Sequence, residues 1–442
     1  MASTPLTREQ AEALARRVLA LSSADEARVN IGQAWSGNTR FAANEITTAG
    51  GITDIAVTIL SAFGRRSASA TTNLLDDASL RRAVETSERI ARLSPENPEH
   101  LPQLGQQQYA EVRAFSERTA DLSPEQRALA ASTVLGLPAI REHSLEVSGY
   151  IEANASMSAV ATSRGLFAYH TSTDANMSTT VRTPDGTGSG YAARGVRDWG
   201  DVDAREIGAR ATDKALRSRN PQAIEPGQYT VVLEPQAVAD VLPLLAGSFG
   251  ARQADEGRSP FARQGGGSKI GEKVADERVT IYSDPADAEL LSQPFDAEGL
   301  PIRRTVWIEN GVLKNLAYSR FWAQKQGREP SGGGGFKMLG GTKSVEQLVA
   351  ETDRGILVTR FWYIRFLDQR TVMLTGLTRD GTFLIERGKA TKSLRNFRWN
   401  DSPLFMLNRI DELGRAERTD AGQVVPSLRV RGFNFTSLSE AV

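Results

Sequence analysis

The 442-residue chain contains no cysteine and only three histidines, His100, His143 and His170. The lack of cysteine excludes disulfides, thiol nucleophiles and thiolate ligands for a metal ion. The histidines form no local metal-binding motif, because a zinc ion requires three or four donors that converge at about 2.0–2.3 Å. We therefore expect solvated or hydrogen-bonded histidines. The alternative is a site assembled over long range from these histidines and carboxylates.

The sequence also lacks a long apolar run. The longest apolar stretch, GILVTRFWYIRFL, is interrupted by Arg360 and Arg365, so no membrane span is expected. Near the N-terminus the pattern predicts an amphipathic helix in place of the apolar block of an export signal. Together with the absence of cysteine, which suits a reducing compartment, this leads us to expect a cytoplasmic protein.

Net charge is absent as well, since 53 basic residues balance 53 acidic ones. Such a surface has no overall field that would attract a polyanion, so nucleic acid is not an expected partner. The composition, 40% hydrophobic and 24% charged, is typical of a folded protein. The length predicts two or three domains.

Local patterns predict both helices and antiparallel strands. Thr7 and Ser123 begin capping boxes, and Asp76 or Asp77 can cap a third helix. The dipeptide Asn310-Gly311 predicts a β-hairpin, and a second hairpin is expected around Arg379–Gly381, joining TVMLTGLT to TFLIERG. These elements indicate an α+β, multi-domain fold with antiparallel sheets and segregated helices.

Polar, proline-containing stretches near residues 110 and 226 divide the chain into three predicted domains. Residues 1–110 form an N-terminal α+β domain, residues 111–225 a central domain of helices and a meander, and residues 226–442 a β-rich C-terminal domain.

Few motifs in the chain carry recognisable chemistry. The glycine-rich stretches 265–271 and 331–335 lack the context of a nucleotide-binding loop, so we expect flexible loops or, alternatively, borders of a peptide-binding cleft. No GxSxG motif of a serine hydrolase is present. The pairs Asp276/Glu277 and Asp296/Glu298 have the chemistry for acid–base work, but surface charge explains such pairs equally well.

Several segments of the sequence resemble the PmbA/TldD family, also called modulators of DNA gyrase. The resemblance covers nearly the whole chain, including NTRFAANEI and GRRSASATTNL, and is carried mainly by PGQYTVVLEPQAVADVL, FDAEGLPIRRTVWIENGVLKNLAYS, EQLVAETDRGILVTRF, FLIERGK and VPSLRVRGF. It implies a cytoplasmic peptidase of two subunits. A TldD-type subunit holds zinc through HExxxH and a later cysteine, and a PmbA/TldE-type subunit accompanies it.

The resemblance places the motif's two histidines at Leu244 and Phe249, its glutamate at Leu245, and the cysteine region around Gln423–Val425. Hydrocarbon side chains cannot ligate a cation or take a proton from water. The chain therefore resembles the PmbA/TldE side. It departs from the usual family pattern at LTGLTRDGTFLIERG and FRWNDSPLFML, which leaves the partner and the substrate range open.

These observations predict a non-catalytic subunit of a TldD/TldE-type zinc peptidase, part of a chamber for unfolded peptides. No cofactor is expected in this chain, and zinc is expected in an HExxxH partner. Asp296 and Glu298 are candidate polar groups of the cleft, with structural hydrogen bonding as the alternative. A homodimeric binding or regulatory protein is one alternative function, and a nucleic-acid or gyrase modulator is another, against which the balanced charge argues.

Overall fold

The computed structural model describes residues 5–439, which form two β-sheets with helices packed against them. The first sheet has six antiparallel strands in the order β3-β2-β1-β4-β5-β6. These strands are β1 (Glu26–Ala42), β2 (Glu45–Phe63), β3 (Arg66–Thr72), β4 (Glu146–Thr162), β5 (Phe167–Arg182) and β6 (Ser189–Val196).

Alternation of apolar residues decides which face of this sheet is buried. Val29 and Ile31 of β1 pair with Ile59 and Val57 of β2, and all four side chains are buried. Helices complete the packing on the sheet. They are α1 (Arg8–Leu19), α2 (Asp77–Leu93), α3 (Glu117–Ala120), α4 (Pro124–Leu135), α5 (Pro138–Glu142) and α6 (Ala204–Arg217), with a 3₁₀ turn at Trp199–Asp201.

The second sheet has eleven strands and is mostly antiparallel, with parallel pairs β7–β12 and β11–β17. Nine strands follow the order β10-β9-β8-β11-β17-β15-β13-β12-β7, while β14 pairs with β13 and β16 with β17. The strands are β7 (Gly227–Leu233), β8 (Ile281–Ser283), β9 (Thr305–Glu309), β10 (Val312–Leu313), β11 (Lys337–Met338), β12 (Arg354–Asp368), β13 (Met373–Glu386), β14 (Lys389–Ser393), β15 (Phe397–Asp401), β16 (Ile410–Arg418) and β17 (Val424–Leu438).

Short helices and a large apolar core accompany the second sheet. The core includes a stack of aromatic rings, in which the centroids of Phe361 and Trp399 lie 4.7 Å apart and those of Phe361 and Phe433 lie 5.5 Å apart. The helices are α7 (Pro235–Ala246), α8 (Ala251–Asp255), α9 (Arg320–Gln326), α10 (Val345–Ala350) and α11 (Pro403–Asn408). No helix of residues 5–439 is long and apolar enough to cross a bilayer.

The predicted helix starts are confirmed. Thr7 and Ser123 each form a complete capping box, and the Asp76 side chain accepts a hydrogen bond from the backbone N–H of Ser79. These caps satisfy backbone N–H groups that the first helical turn leaves without a partner.

One predicted hairpin is confirmed and the other is wrong. Asn310 and Gly311 both have positive φ and join β9 to β10. Arg379–Gly381, however, lies inside β13, where Asp380 (φ 54°) and Gly381 (φ 130°) form an irregularity while pairing with β12 continues on both sides. The chain instead reverses at Arg387-Gly388, which joins β13 to β14. The prediction was wrong because a bulge and a turn both use residues with positive φ, so an Asp-Gly pair fits either one.

The expected α+β fold with antiparallel sheets and segregated helices is confirmed. Strands from both sides of residue 110 join in the first sheet, because β1 pairs with β4 from Arg28–Thr162 to Phe41–Gly149. Strands that follow residue 226 build the second sheet. The two predicted domain boundaries stay predictions.

Candidate functional site at helix α7

Helix α7 carries the positions that the family resemblance assigns to the zinc motif. Leu245 is fully buried, Phe249 is 5% exposed just after the helix, and Leu244 is partly buried against the same core. The ring of Phe249 stacks on Phe261 at 4.9 Å and packs against Trp307 at 5.4 Å. The three positions therefore contribute to an apolar core.

These residues do not fit a zinc ion. Carbon side chains have no lone pair to donate, and a structural or catalytic zinc site requires at least three nitrogen, sulfur or oxygen donors. Among residues 5–439, no group of three or more histidine, aspartate or glutamate side chains is arranged to hold a metal ion.

The helical stripe of α7 that leads to Leu244 carries polar side chains. Asp240 lies one helical turn before Leu244, and Gln236 lies one turn earlier still. The Asp240 carboxylate accepts hydrogen bonds from the backbone N–H of Phe361 at 2.7 Å and from the Gln236 amide at 2.9 Å. The Gln236 oxygen in turn accepts the backbone N–H of Asp420 at 3.3 Å. Through this bond α7 holds the turn that precedes β17.

Charged and aromatic groups surround this carboxylate. The Cζ atom of Arg360 lies 3.8 Å from the centroid of the Tyr191 ring. The Nη1 atom of Arg360 lies 3.4 Å from the Asp380 carboxylate. Tyr191 donates its hydroxyl to Asp420 at 3.3 Å. Burial raises the pKa of Asp240 to about 7, although the positive charge of Arg360 and the two hydrogen bonds act in the opposite direction. Asp240 can therefore exchange a proton near neutral pH.

The segment that the resemblance assigns to the family's cysteine lies close to α7. Gln423 accepts the hydroxyl of Thr419 at 3.0 Å, and Val424 and Val425 are buried at the start of β17. Since Asp420 in the same turn bonds to Gln236, the structure brings together the two segments that the resemblance singles out.

Asp296 and Glu298, the predicted cleft residues, lie elsewhere, in a loop against the first sheet. Asp296 accepts the backbone N–H groups of Glu298 and Leu300 at 2.8 and 2.9 Å. Glu298 pairs with Arg320 at 2.9 Å. Asp296 also borders a cavity of about 480 Å³ that includes Ser331 and Gly332 of the second glycine-rich stretch. The visible role of both carboxylates is to hold the loop, and their role in a cleft stays a prediction.

Asp240, Arg360, Asp380 and Tyr191 were not identified as site residues from the sequence. The sequence contains a signal for two of them, Asp240 and Arg360. Asp240 is the one charged residue of the helical stretch AVADVLPLL, and Arg360 is one of the two arginines that interrupt the apolar stretch GILVTRFWYIRFL. A charge in such a setting requires a partner, because an unpaired buried charge costs several kcal/mol.

Comparison with known proteins agrees with this architecture. The family model of the PmbA/TldA metallopeptidase C-terminal domain matches residues 226–437, and that of the PmbA/TldA metallopeptidase central domain matches residues 110–219. An uncharacterised protein of Methanocaldococcus jannaschii is 34% identical over 158 residues, 35% of this chain and 36% of its own length. A metalloprotease of Methanothermobacter thermautotrophicus is 37% identical over 133 residues, 29% of this chain and 28% of its own. The matches thus span about a third of these relatives.

A solved structure extends the likeness to the whole fold. TldE from Thermococcus kodakarensis has a TM-score of 0.85 at 21% identity, over 96% of this chain and 99% of its own. At that identity the likeness shows the fold alone. The fold is that of the PmbA/TldD/TldE metalloproteases. The chain belongs to the PmbA/TldD family.

Proposed function

We propose that this chain is the non-catalytic subunit of a cytoplasmic, heterodimeric zinc metallopeptidase of the TldD/TldE type, which acts on unfolded peptides. The proposal rests on the apolar side chains of Leu244, Leu245 and Phe249. They pack into a core at the positions where an active subunit would hold a metal. The zinc and the water that it activates belong to an HExxxH partner, and this chain supplies part of the chamber wall.

An unpaired sheet edge supports a role in holding peptides. Residues 45–56 of β2 pair with β1 on one side, and β3 pairs with residues 57–63, so that within the described part of the chain no strand covers the other side of residues 45–56. The free edge carries exposed Ile46 and Ile52 and the glycines Gly50 and Gly51. An extended peptide can add a strand to such an edge through backbone hydrogen bonds, which are independent of its sequence.

An exposed apolar surface supports a protein partner. At the far end of β12, the side chains of Trp362, Tyr363, Phe366 and Leu367 are between 41% and 59% exposed. Large apolar groups clustered at the surface mark sites of protein interaction. We call these four residues the β12 apolar patch. A second copy of this chain could cover the same patch, so a homodimeric binding or regulatory protein is the alternative function.

Co-expression with an HExxxH relative tests the proposal. We expect a complex of one copy of each chain, with zinc bound in proportion to the partner and peptidase activity against unfolded peptides. The same chain purified alone is expected to have no peptidase activity with or without added zinc. Metal-free hydrolysis by the isolated chain would contradict the proposal, and a stable homodimer that ignores the HExxxH protein would favour the alternative.

A further inference from the structure

A cleft of about 950 Å³ lies between the first sheet and the second. Its walls come from β6, α6, β16 and the start of α10. The floor is fixed where the backbone N–H of Gly195 donates to the carbonyl of Thr419 at 2.8 Å. Arg194 of β6 is the neighbour of Gly195, and Arg418 at the end of β16 is the neighbour of Thr419. The bond therefore brings the two arginines to the same place, where the sheets meet. The volume lies within the range of about 300–1,000 Å³ that is typical of ligand pockets.

The charges in this cleft are unevenly paired. Arg210, Lys214 and Arg217 each have a carboxylate within 4 Å, the closest being Glu234, 2.6 Å from Lys214. Within the described part of the chain, Arg194 and Arg418 line the cleft with neither an ion pair nor a side-chain hydrogen bond. Within that same part of the chain, Arg415 lines the cleft without an ion pair as well, but its side chain is exposed to solvent, so Arg194 and Arg418 are distinguished by being partly buried.

Both guanidinium groups are partly withdrawn from water. The Nε atom of Arg194 and the Nη1 atom of Arg418 are buried without a hydrogen-bond partner among residues 5–439. Burial and the nearby positive charges of Arg197 and Arg194 lower the pKa of Arg418, although the carboxylates of Glu289 and Asp201 act in the opposite direction. A partly desolvated cation that is also repelled by its neighbours is stabilised by an anion more strongly than an exposed one.

We propose that Arg194 and Arg418 form a binding site for a single carboxylate, supplied by a peptide that lies in the cleft. An arginine fork matches the planar geometry of a carboxylate and binds it through two parallel hydrogen bonds. Seven aspartate and glutamate side chains also line the cleft, so a ligand with several negative charges, such as a nucleic acid, would be repelled. The choice of a peptide as the bearer of the carboxylate rests on the proposed function.

Binding of model peptides to the isolated full-length chain tests this site without any proteolysis. The probes are N-acetyl-tetraalanine as the free acid, its C-terminal amide, and the peptide amide N-acetyl-Ala-Asp-Ala-Ala, whose carboxylate is on a side chain. Calorimetry is expected to show that at least one carboxylate peptide binds at least about tenfold more tightly than the uncharged amide. Comparing the two acids tells whether the site prefers a chain terminus or an acidic side chain.

Substitutions locate the binding. Arg194→Gln and Arg418→Gln are each expected to weaken carboxylate binding at least about tenfold, while Arg415→Gln, at an exposed arginine of the same cleft, changes it less than about twofold. Equal affinity for acid and amide, or no binding by the acids, would overturn the site, as would tighter binding of inorganic phosphate. The wild-type comparison stands even if a variant fails to fold. This test needs neither a partner nor zinc. A negative result would therefore remove the carboxylate site and would not decide whether the chain is the subunit of a zinc peptidase.

Discussion

Among single residues near α7, Asp240 has the most perturbed carboxyl group. Burial raises its pKa to about 7, so between the ordinary pKa of an aspartate near 4 and this value the folded protein holds a proton that the unfolded chain releases. The contribution to stability is complete below the unfolded pKa and is lost as the pH rises through the folded pKa. The free energy of unfolding should therefore fall between those two pH values.

We predict that Asp240→Asn removes this pH dependence. From about pH 5 to about pH 8 the wild-type protein should lose about 2 kcal/mol more unfolding free energy than the variant. Urea unfolding of both proteins at the two pH values measures the difference. His170, whose pKa is lowered to about 4 by burial and by Arg197, has the opposite trend and cancels because both proteins contain it. Parallel pH profiles would show that Asp240 is not protonated in this range.

At the scale of elements, local signals predicted helix starts better than strand ends. The capping boxes at Thr7 and Ser123 involve partners three residues apart, so the sequence alone contains the whole interaction. The bulge at Asp380 depends on pairing with β12, about twenty positions earlier in the chain. An Asp-Gly pair permits the same positive φ in a bulge and in a turn, and only the distant strand decides between them.

The candidate site was predictable only in its apolar part. The resemblance located Leu244, Leu245 and Phe249, and their apolar side chains were sufficient to expect them in a core. The polar network could not be predicted in the same way, because its residues come from four separate elements. Tyr191 lies in β6, Asp240 in α7, Arg360 in β12 and Asp420 in the turn before β17. Their meeting depends on how the two sheets pack, which no local pattern contains.

Helix α7 should tolerate a polar side chain at one motif position and not at its neighbour. Leu245 is fully buried, so Leu245→Glu places a carboxylate in the core and should cost about 3 kcal/mol or more of unfolding free energy. Leu244 is only partly buried, and Leu244→His should cost about 1 kcal/mol. Urea unfolding of the two variants at neutral pH compares them, and equal losses would contradict the packing described for α7.

The β12 apolar patch should matter for assembly and little for folding. Phe366 and Leu367 are 41% and 55% exposed, so Phe366→Lys and Leu367→Lys should change the unfolding free energy by about 0.5 kcal/mol or less. Both should reduce complex formation with an HExxxH relative, or self-association if the chain is a homodimer, as measured by light scattering after size exclusion. Leu129→Lys, at a 68% exposed position on α4, is the matched control. Unchanged assembly in the patch variants would remove this surface from the interface.

At the scale of the whole molecule, the two sheets are joined by a contact between β6 and the Thr419–Gly422 turn. Gly195 donates its N–H to Thr419 there, and the Asn176 amide donates to the carbonyl of Asp420. This contact borders both the Asp240 network and the cleft with Arg194 and Arg418. The relative position of the sheets therefore sets the geometry of both polar sites.

Replacing Gly195 by a residue with a side chain should destabilise the contact between the sheets. A Cβ atom at Gly195 would lie 2.2 Å from the carbonyl oxygen of Asp420 and 2.8 Å from the backbone nitrogen of Gly422, and neither backbone atom can move without shifting the turn. We predict that Gly195→Ala costs about 1–3 kcal/mol of unfolding free energy. Gly32→Ala, in β1 with no atom within 4 Å of the new Cβ, should change it by about 0.5 kcal/mol or less. If urea unfolding finds both alanine variants equally stable, the sheets are not held at this point.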